Sequence, residues 1–201
     1  MPADLRPGPD SPPTDELAGA EAALSVLQQV LHDIASDDMW RQTPCEEYDL
    51  TQLTYHLLNS TMSLGVMVGV NYSPGEYSDG VEEQVVSAAR MALDAWHRRG
   101  LEGTILWEDN EMPAKVAAAI FSIEFLVHAW DYAAAVGHQV KAPDPLVEYV
   151  HELAQQLIPE QRAHAGFADA VDVPEDAGSL HRLIAFTGRD PAWRGSQTVL
   201  D

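Results

Sequence analysis

The run AAAIFSIEFLVHAWDYAAAVG, residues 117–137, decides the fold. It is apolar and rich in alanine over nearly six helical turns, and it has no internal proline or glycine. Pro113 is placed to open the helix and Gly137 to end it, so the pattern predicts a helix from Pro113 to Val136. Three polar residues interrupt the apolar text. At the helical rotation per residue, Glu124 and His128 fall about 40° apart, and Asp131 falls about 20° to the other side of Glu124. Ala117, Ile120, Val127 and Ala135 lie near the same stripe. A carboxylate and an imidazole therefore point into the protein from an apolar helix, about 6 Å apart along its axis.

Working outward, the chain reads as further helices. Thr14 can cap a first helix in which Leu17, Leu24, Leu27, Leu31 and Ile34 recur at helical spacing, ending near Ser36. Asp49 followed by Gln52 matches a capping box, opening a second helix from about Leu50 to Val70. Leu53, His56, Leu57, Ser60, Leu64 and Met67 share its inner face. Val81 to Arg99 makes a third helix, with Gly100 at its end, and Thr104 to Trp107 makes a short strand or extended loop. Leu146 to Leu157 and Leu180 to Phe186 are further helical segments, separated by an irregular stretch from Pro159 to Ser179. With strands nearly absent, the expected class is all-α, most simply an antiparallel four-helix bundle with extra C-terminal helices. Residues 1–13 read as a disordered tail, rich in Pro, Asp and Gly, and 14–201 as a single domain.

Composition narrows the functions. The chain has 201 residues, with 11 Lys and Arg against 32 Asp and Glu, a net charge of −21. Such a surface repels nucleic-acid phosphates and anionic membranes. The basic residues are scattered, and no apolar run reaches the length of a bilayer span. The lone Cys45 excludes an internal disulfide, and with no apolar leader the reading is a cytoplasmic protein. There is no glycine-rich phosphate loop, no G-x-S-x-G and no zinc-ribbon cysteine set.

The chemistry therefore rests on the inward-facing polar residues. A lone buried carboxylate is costly and needs a partner or a cation. Glu124 and His128 offer two metal ligands one turn apart, and His56 offers a third from another helix; two His and one Glu are a known catalytic zinc set. The same residues also read as an i,i+4 ion pair and a hydrogen-bonded core histidine. Asp131 is a candidate to orient a ligand imidazole, with capping or pairing elsewhere as the other reading. Tyr55 and Asn59 flank His56 and are pocket candidates, and Trp130 reads as packing. Cys45 reads as part of a structural turn. His32, His97, His138, His151, His164 and His181 read as surface or packing residues.

The segment TPCEEYDLTQLTYHLL, which carries His56, resembles the first ligand segment of the mycothiol-dependent maleylpyruvate isomerase family. The segment IEFLVHAWDYAAAVG resembles that family's second ligand segment. The tail from Phe167 through VPEDAG to LIAFTGRDPAW resembles a subgroup of related actinobacterial metal-binding proteins. The resemblance covers nearly the whole chain after its start. It implies a DinB-like bundle with a divalent metal, usually zinc, on His56, Glu124 and His128; nickel, iron or manganese also suit such donors. The full isomerases carry a larger C-terminal domain, whereas about sixty residues follow the fourth helix here.

The resemblance implies a thiol-dependent isomerase or transferase. In it, mycothiol would lose its proton at the metal and attack a small electrophilic substrate. Hydrolysis at the same metal is an alternative chemistry. From a different class, the chain reads as a non-catalytic metal-binding or stress-related interaction protein. A purely structural network of buried polar residues is the third reading. An apolar bundle face could also support a homodimer.

Overall fold

The structure, a computed structural model, describes residues 11–45, 47–72, 80–107, 110–161 and 167–195. The first ten residues of the expected tail, and residues 73–79 of the loop before the third helix, lie outside the described residues. Helix α1 spans Glu16–His32, and its N-cap is Asp15, whose side chain accepts the Ala18 N–H at 2.8 Å. The cap thus lies one residue after Thr14. The helix also stops short of Ser36, where a single 3-10 turn, Ser36–Asp38, takes over. Its buried stripe is Leu17, Leu24, Leu27 and Leu31 with Ala20 and Ala23.

Helix α2, Leu50–Val66, opens with the capping box read from the sequence. The Asp49 carboxylate accepts the Gln52 N–H at 2.8 Å, and the Asp49 N–H donates to the Gln52 side chain at 2.9 Å. It ends a turn before Val70, because the chain passes through Gly69 at φ +89°. Helix α3, Val81–Arg99, has the expected bounds, with Gly100 at φ +78° closing it. The expected strand, β1 (Thr104–Trp107), pairs antiparallel with β2 (Asn110–Pro113), which the sequence pattern did not show.

Helix α4, Ala114–Ala135, is buried on nearly every side and forms the centre of the molecule. By length and composition it is apolar enough to cross a bilayer, yet most of it is enclosed by the other helices. Such all-round hydrophobicity is that of a core helix. Helix α5, Asp144–Gln161, runs on through Pro159 into part of the stretch expected to be irregular. A proline this near a helix end removes one N–H bond, and buried Ala154 and Ile158 anchor the segment. Helix α6, Ser179–Phe186, packs on α5 and α4, and the Ser179 hydroxyl donates to Asp144 at the start of α5.

The class is all-α. Helices α1 to α4 close a four-membered ring of contacts, α1 on α4, α4 on α2, α2 on α3 and α3 on α1. Side-chain pairs set the directions. Gln28 and His32, late in α1, reach Glu82 at the start of α3, while Glu21 reaches His97 at its end. Thr54, early in α2, meets Tyr132, late in α4. The starts of α2 and α3 line one cleft and their ends line another. So α1 and α4 run opposite to α2 and α3.

Candidate metal centre

Helix α2 turns His56 toward α4 beside its buried face of Leu53, Leu57 and Leu64. Its position is held by Tyr132 and Thr54. The Thr54 hydroxyl gives its proton to the Leu50 carbonyl at 2.7 Å, so the Tyr132 O–H donates to it at 2.6 Å. On the other side the Tyr48 ring stacks on the His56 ring, centroids 5.2 Å apart and planes 27° from parallel. Tyr48 is placed by a tight turn in which the Cys45 carbonyl accepts the Tyr48 N–H at 2.9 Å and the Thr43 hydroxyl at 3.0 Å. Cys45 is therefore a turn residue, as read, and burial pushes its thiol pKa up.

Helix α4 contributes Glu124 and His128. Glu124 Oε2 lies 3.4 Å from His56 Nε2 and 3.5 Å from His128 Nε2. The two imidazoles meet edge to face at 5.2 Å. One donor atom from each of the three residues falls within 4.8 Å of the others. The expected trio is thus brought together, and it can hold a metal ion.

Two observations test whether these groups fit a cation. Glu124 Oε2 is fully enclosed and accepts no hydrogen bond, despite its closeness to two imidazoles. An ionised oxygen left in that state is costly. Bonds of about 2.0–2.1 Å at a tetrahedral angle would separate neighbouring donors by about 3.4 Å, which matches the spacing of Glu124 Oε2 from each imidazole nitrogen. The second observation is the tautomer. His128 Nδ1 lies 2.8 Å from Asp131 Oδ2, and Asp131 is held as an anion by Arg189. Nδ1 must therefore carry a proton, which leaves Nε2 to face Glu124 with a lone pair or a second proton. A lone pair against an unsatisfied carboxylate oxygen is repulsive unless something positive lies between them. The donor set fits a divalent cation.

The charged groups of the centre also stabilise one another. Burial opposes ionisation of Glu124, but His128 and then His56 outweigh it and hold the carboxyl well below its ordinary range. Burial likewise opposes the charged form of His128, and Asp131 and Glu124 override it, raising its pKa. Asp131 is 0% exposed. Burial disfavours its charge, and Arg189 more than offsets this, lowering its pKa. The Arg189 guanidinium binds Asp131 through Nε at 2.8 Å and 3.1 Å and through Nη2 at 2.9 Å.

Arg189 is the site residue that the reading of residue patterns missed. It lies past the end of α6 and reaches α4 because Gly188 turns the chain at φ +86° against Ala168. The sequence held one signal: a core-facing Asp131 demands a cationic or donor partner. It did not say which of eleven basic residues supplies it. The other two pocket candidates stand outside the trio. Tyr55 is 69% exposed and Asn59 is exposed, both beside His56 on the rim of an open cleft. Trp130 packs in the core. His32 and His97 pair at the surface with Glu82 and Glu21, and His151 rests on Phe186. His138 and His181 are exposed, and His164 lies outside the described residues.

The chain is similar to an uncharacterized protein of Mycobacterium tuberculosis, found in two strains. Identity is 26% over 178 residues, covering 87% of this chain and 98% of the relative. No family model matches, and no solved structure matches.

Proposed function

We propose that this chain is a metal-dependent enzyme of the thiol-dependent isomerase or transferase type. In this reading it holds a divalent cation, zinc before nickel, iron or manganese, on His56, Glu124 and His128, and uses mycothiol as its thiol. The observation that carries the metal reading is the enclosed Glu124 Oε2, flanked by two imidazole nitrogens and satisfied by neither. The thiol rests on the resemblance of the two ligand segments to the mycothiol-dependent family. When bound, the cation supplies Lewis acidity, stabilising a thiolate and polarising a small electrophile.

The chain's own groups divide the remaining work. Arg189 keeps Asp131 ionised. Asp131 keeps the Nδ1 proton on His128, so that Nε2 presents its lone pair. Tyr48 and the Thr54–Tyr132 bond fix the ring and backbone of His56. Glu124 supplies the negative charge that the two neutral imidazoles do not. Of the three, His56 lines an open cleft, with 36% of its side chain exposed, and that is the side from which a small molecule would approach.

Elemental analysis of the purified protein tests this reading, run beside His56→Ala, Glu124→Ala and His128→Ala. The expected result is near-stoichiometric metal in the parent, lost in all three variants with helical content retained. Turnover of small electrophiles should then require both mycothiol and the metal. A parent that takes up no metal even after incubation with zinc overturns the proposal. Metal without thiol-dependent turnover replaces it with a non-catalytic metal-binding protein.

A further inference from the structure

The cleft beside His56 combines aromatic and uncharged polar side chains. Gln52, Tyr55, Asn59 and Ser63 line one wall along α2, and Tyr48 and Trp107 close it from the preceding loop and the hairpin. It encloses about 660 Å³, the size of a small-molecule site. None of the described residues lining it is Asp, Glu, Lys or Arg. Indeed α2 carries no such residue from Leu50 to Val66, in a chain that holds 43 of them. Three of the nine lining side chains are aromatic, and one of these, Tyr48, already stacks on the ring of His56.

We infer that this cleft takes the flat, uncharged body of a small molecule, a conjugated or aromatic ring without a carboxylate or phosphate, and that it discriminates against anions. Aromatic faces contact such a ring over a large area. The amides and hydroxyls of Gln52, Asn59 and Ser63 hydrogen-bond neutral polar substituents. A carboxylate entering the cleft sheds water and meets no Lys or Arg among the described residues lining it, so these side chains leave its desolvation uncompensated, and the discrimination is read on chelated protein, where no cation at His56 offsets it. The field of a protein with a net charge of −21 further lowers the local concentration of anions. The inference rests on the proposed function only in calling the ligand a substrate, because binding in the cleft requires the wall and not the cation.

The test is ligand-observed NMR titration with a matched pair, benzamide and benzoate, on the protein as purified and again after chelation. Benzamide is expected to bind about tenfold more tightly than benzoate in the chelated protein, and Trp107→Ala and Tyr48→Ala should each weaken it by about tenfold. Equal or tighter binding of benzoate in the chelated protein overturns the inference. So does a failure of benzamide to bind, or binding that neither substitution weakens. Glu124→Gln separates the two proposals. Benzamide binding that survives in that variant, with metal absent from the parent, sinks the metal reading alone. Metal present without benzamide binding sinks the cleft inference alone.

Discussion

Asp131 and Arg189 form the pair on which the centre depends. Both are buried, and each is the charge that makes the other tolerable. Replacing one partner of a buried pair leaves an uncompensated charge, at a cost of about 3–5 kcal/mol. Asp131→Asn should therefore lose that much in urea unfolding and weaken metal affinity by about 10–100-fold, because the Asn amide no longer fixes the His128 tautomer. Arg189→Met should cause a similar loss of stability, and the double variant less than the sum of the two. His128 gives a second prediction, in pH. Its pKa is raised in the folded protein, so its contribution to stability is complete below about pH 6.5 and fades as pH rises through the folded value. Chelated protein should lose thermal stability at this group from about pH 6.5 upward. A cation needs the neutral imidazole, so the gap in Tm between loaded and chelated protein should widen over the same range. Asp131 and Glu124 act in the opposite sense. Their depressed values add stability above about pH 4, lost as pH falls toward the folded values.

At the scale of elements, two glycines distinguish backbone strain from packing. Gly188 and Gly137 both sit in the left-handed region, at φ +86° and +76°. A methyl at Gly188 would lie 2.6 Å from the Ala168 carbonyl oxygen, whereas one at Gly137 meets nothing within 4 Å. Gly137→Ala should cost only the backbone penalty, about 1–2 kcal/mol. Gly188→Ala should cost more in the same urea titration, and should also lower metal content, because the turn it distorts aims Arg189 at Asp131. The reading of elements was sound where it rested on local chemistry. The capping box of α2, the bounds of α3 and the apolar helix α4 with its inward polar stripe all follow from residues within a turn or two of one another. It failed where non-local packing decided. The strand β2 carries no β-branched residue and forms because β1 lies beside it. Pro159 stays helical because α5 is anchored by burial.

For the molecule as a whole, a net charge of −21 is an energetic burden on the folded state. Like charges held close repel, and added salt shortens the reach of that repulsion from about 30 Å at low ionic strength to a few Å near molar concentration. The Tm should rise steadily as sodium chloride increases, and a falling or flat Tm would show that the specific ion pairs outweigh general repulsion. The measurement belongs at neutral pH with the metal content held constant, since a bound cation adds its own stabilisation by mass action.

Sequence alone determined the helical class, because the spacing of Leu17, Leu24, Leu27 and Leu31, and the unbroken apolar text of α4, are local facts of period. It also marked Glu124, His128 and Asp131 as one stripe, because helix geometry ties residues four and seven apart whatever surrounds them. Whether His56 joined them depended on the relative placement of α2 and α4, which no local pattern encodes. Arg189 lies 58 residues from Asp131 in the chain, and only the folded path of α5 and α6 carries it back to the core. The same holds for the cleft, whose wall on α2 is an uncharged run in the sequence and becomes the side of a cleft only where Tyr48 and Trp107 close around it.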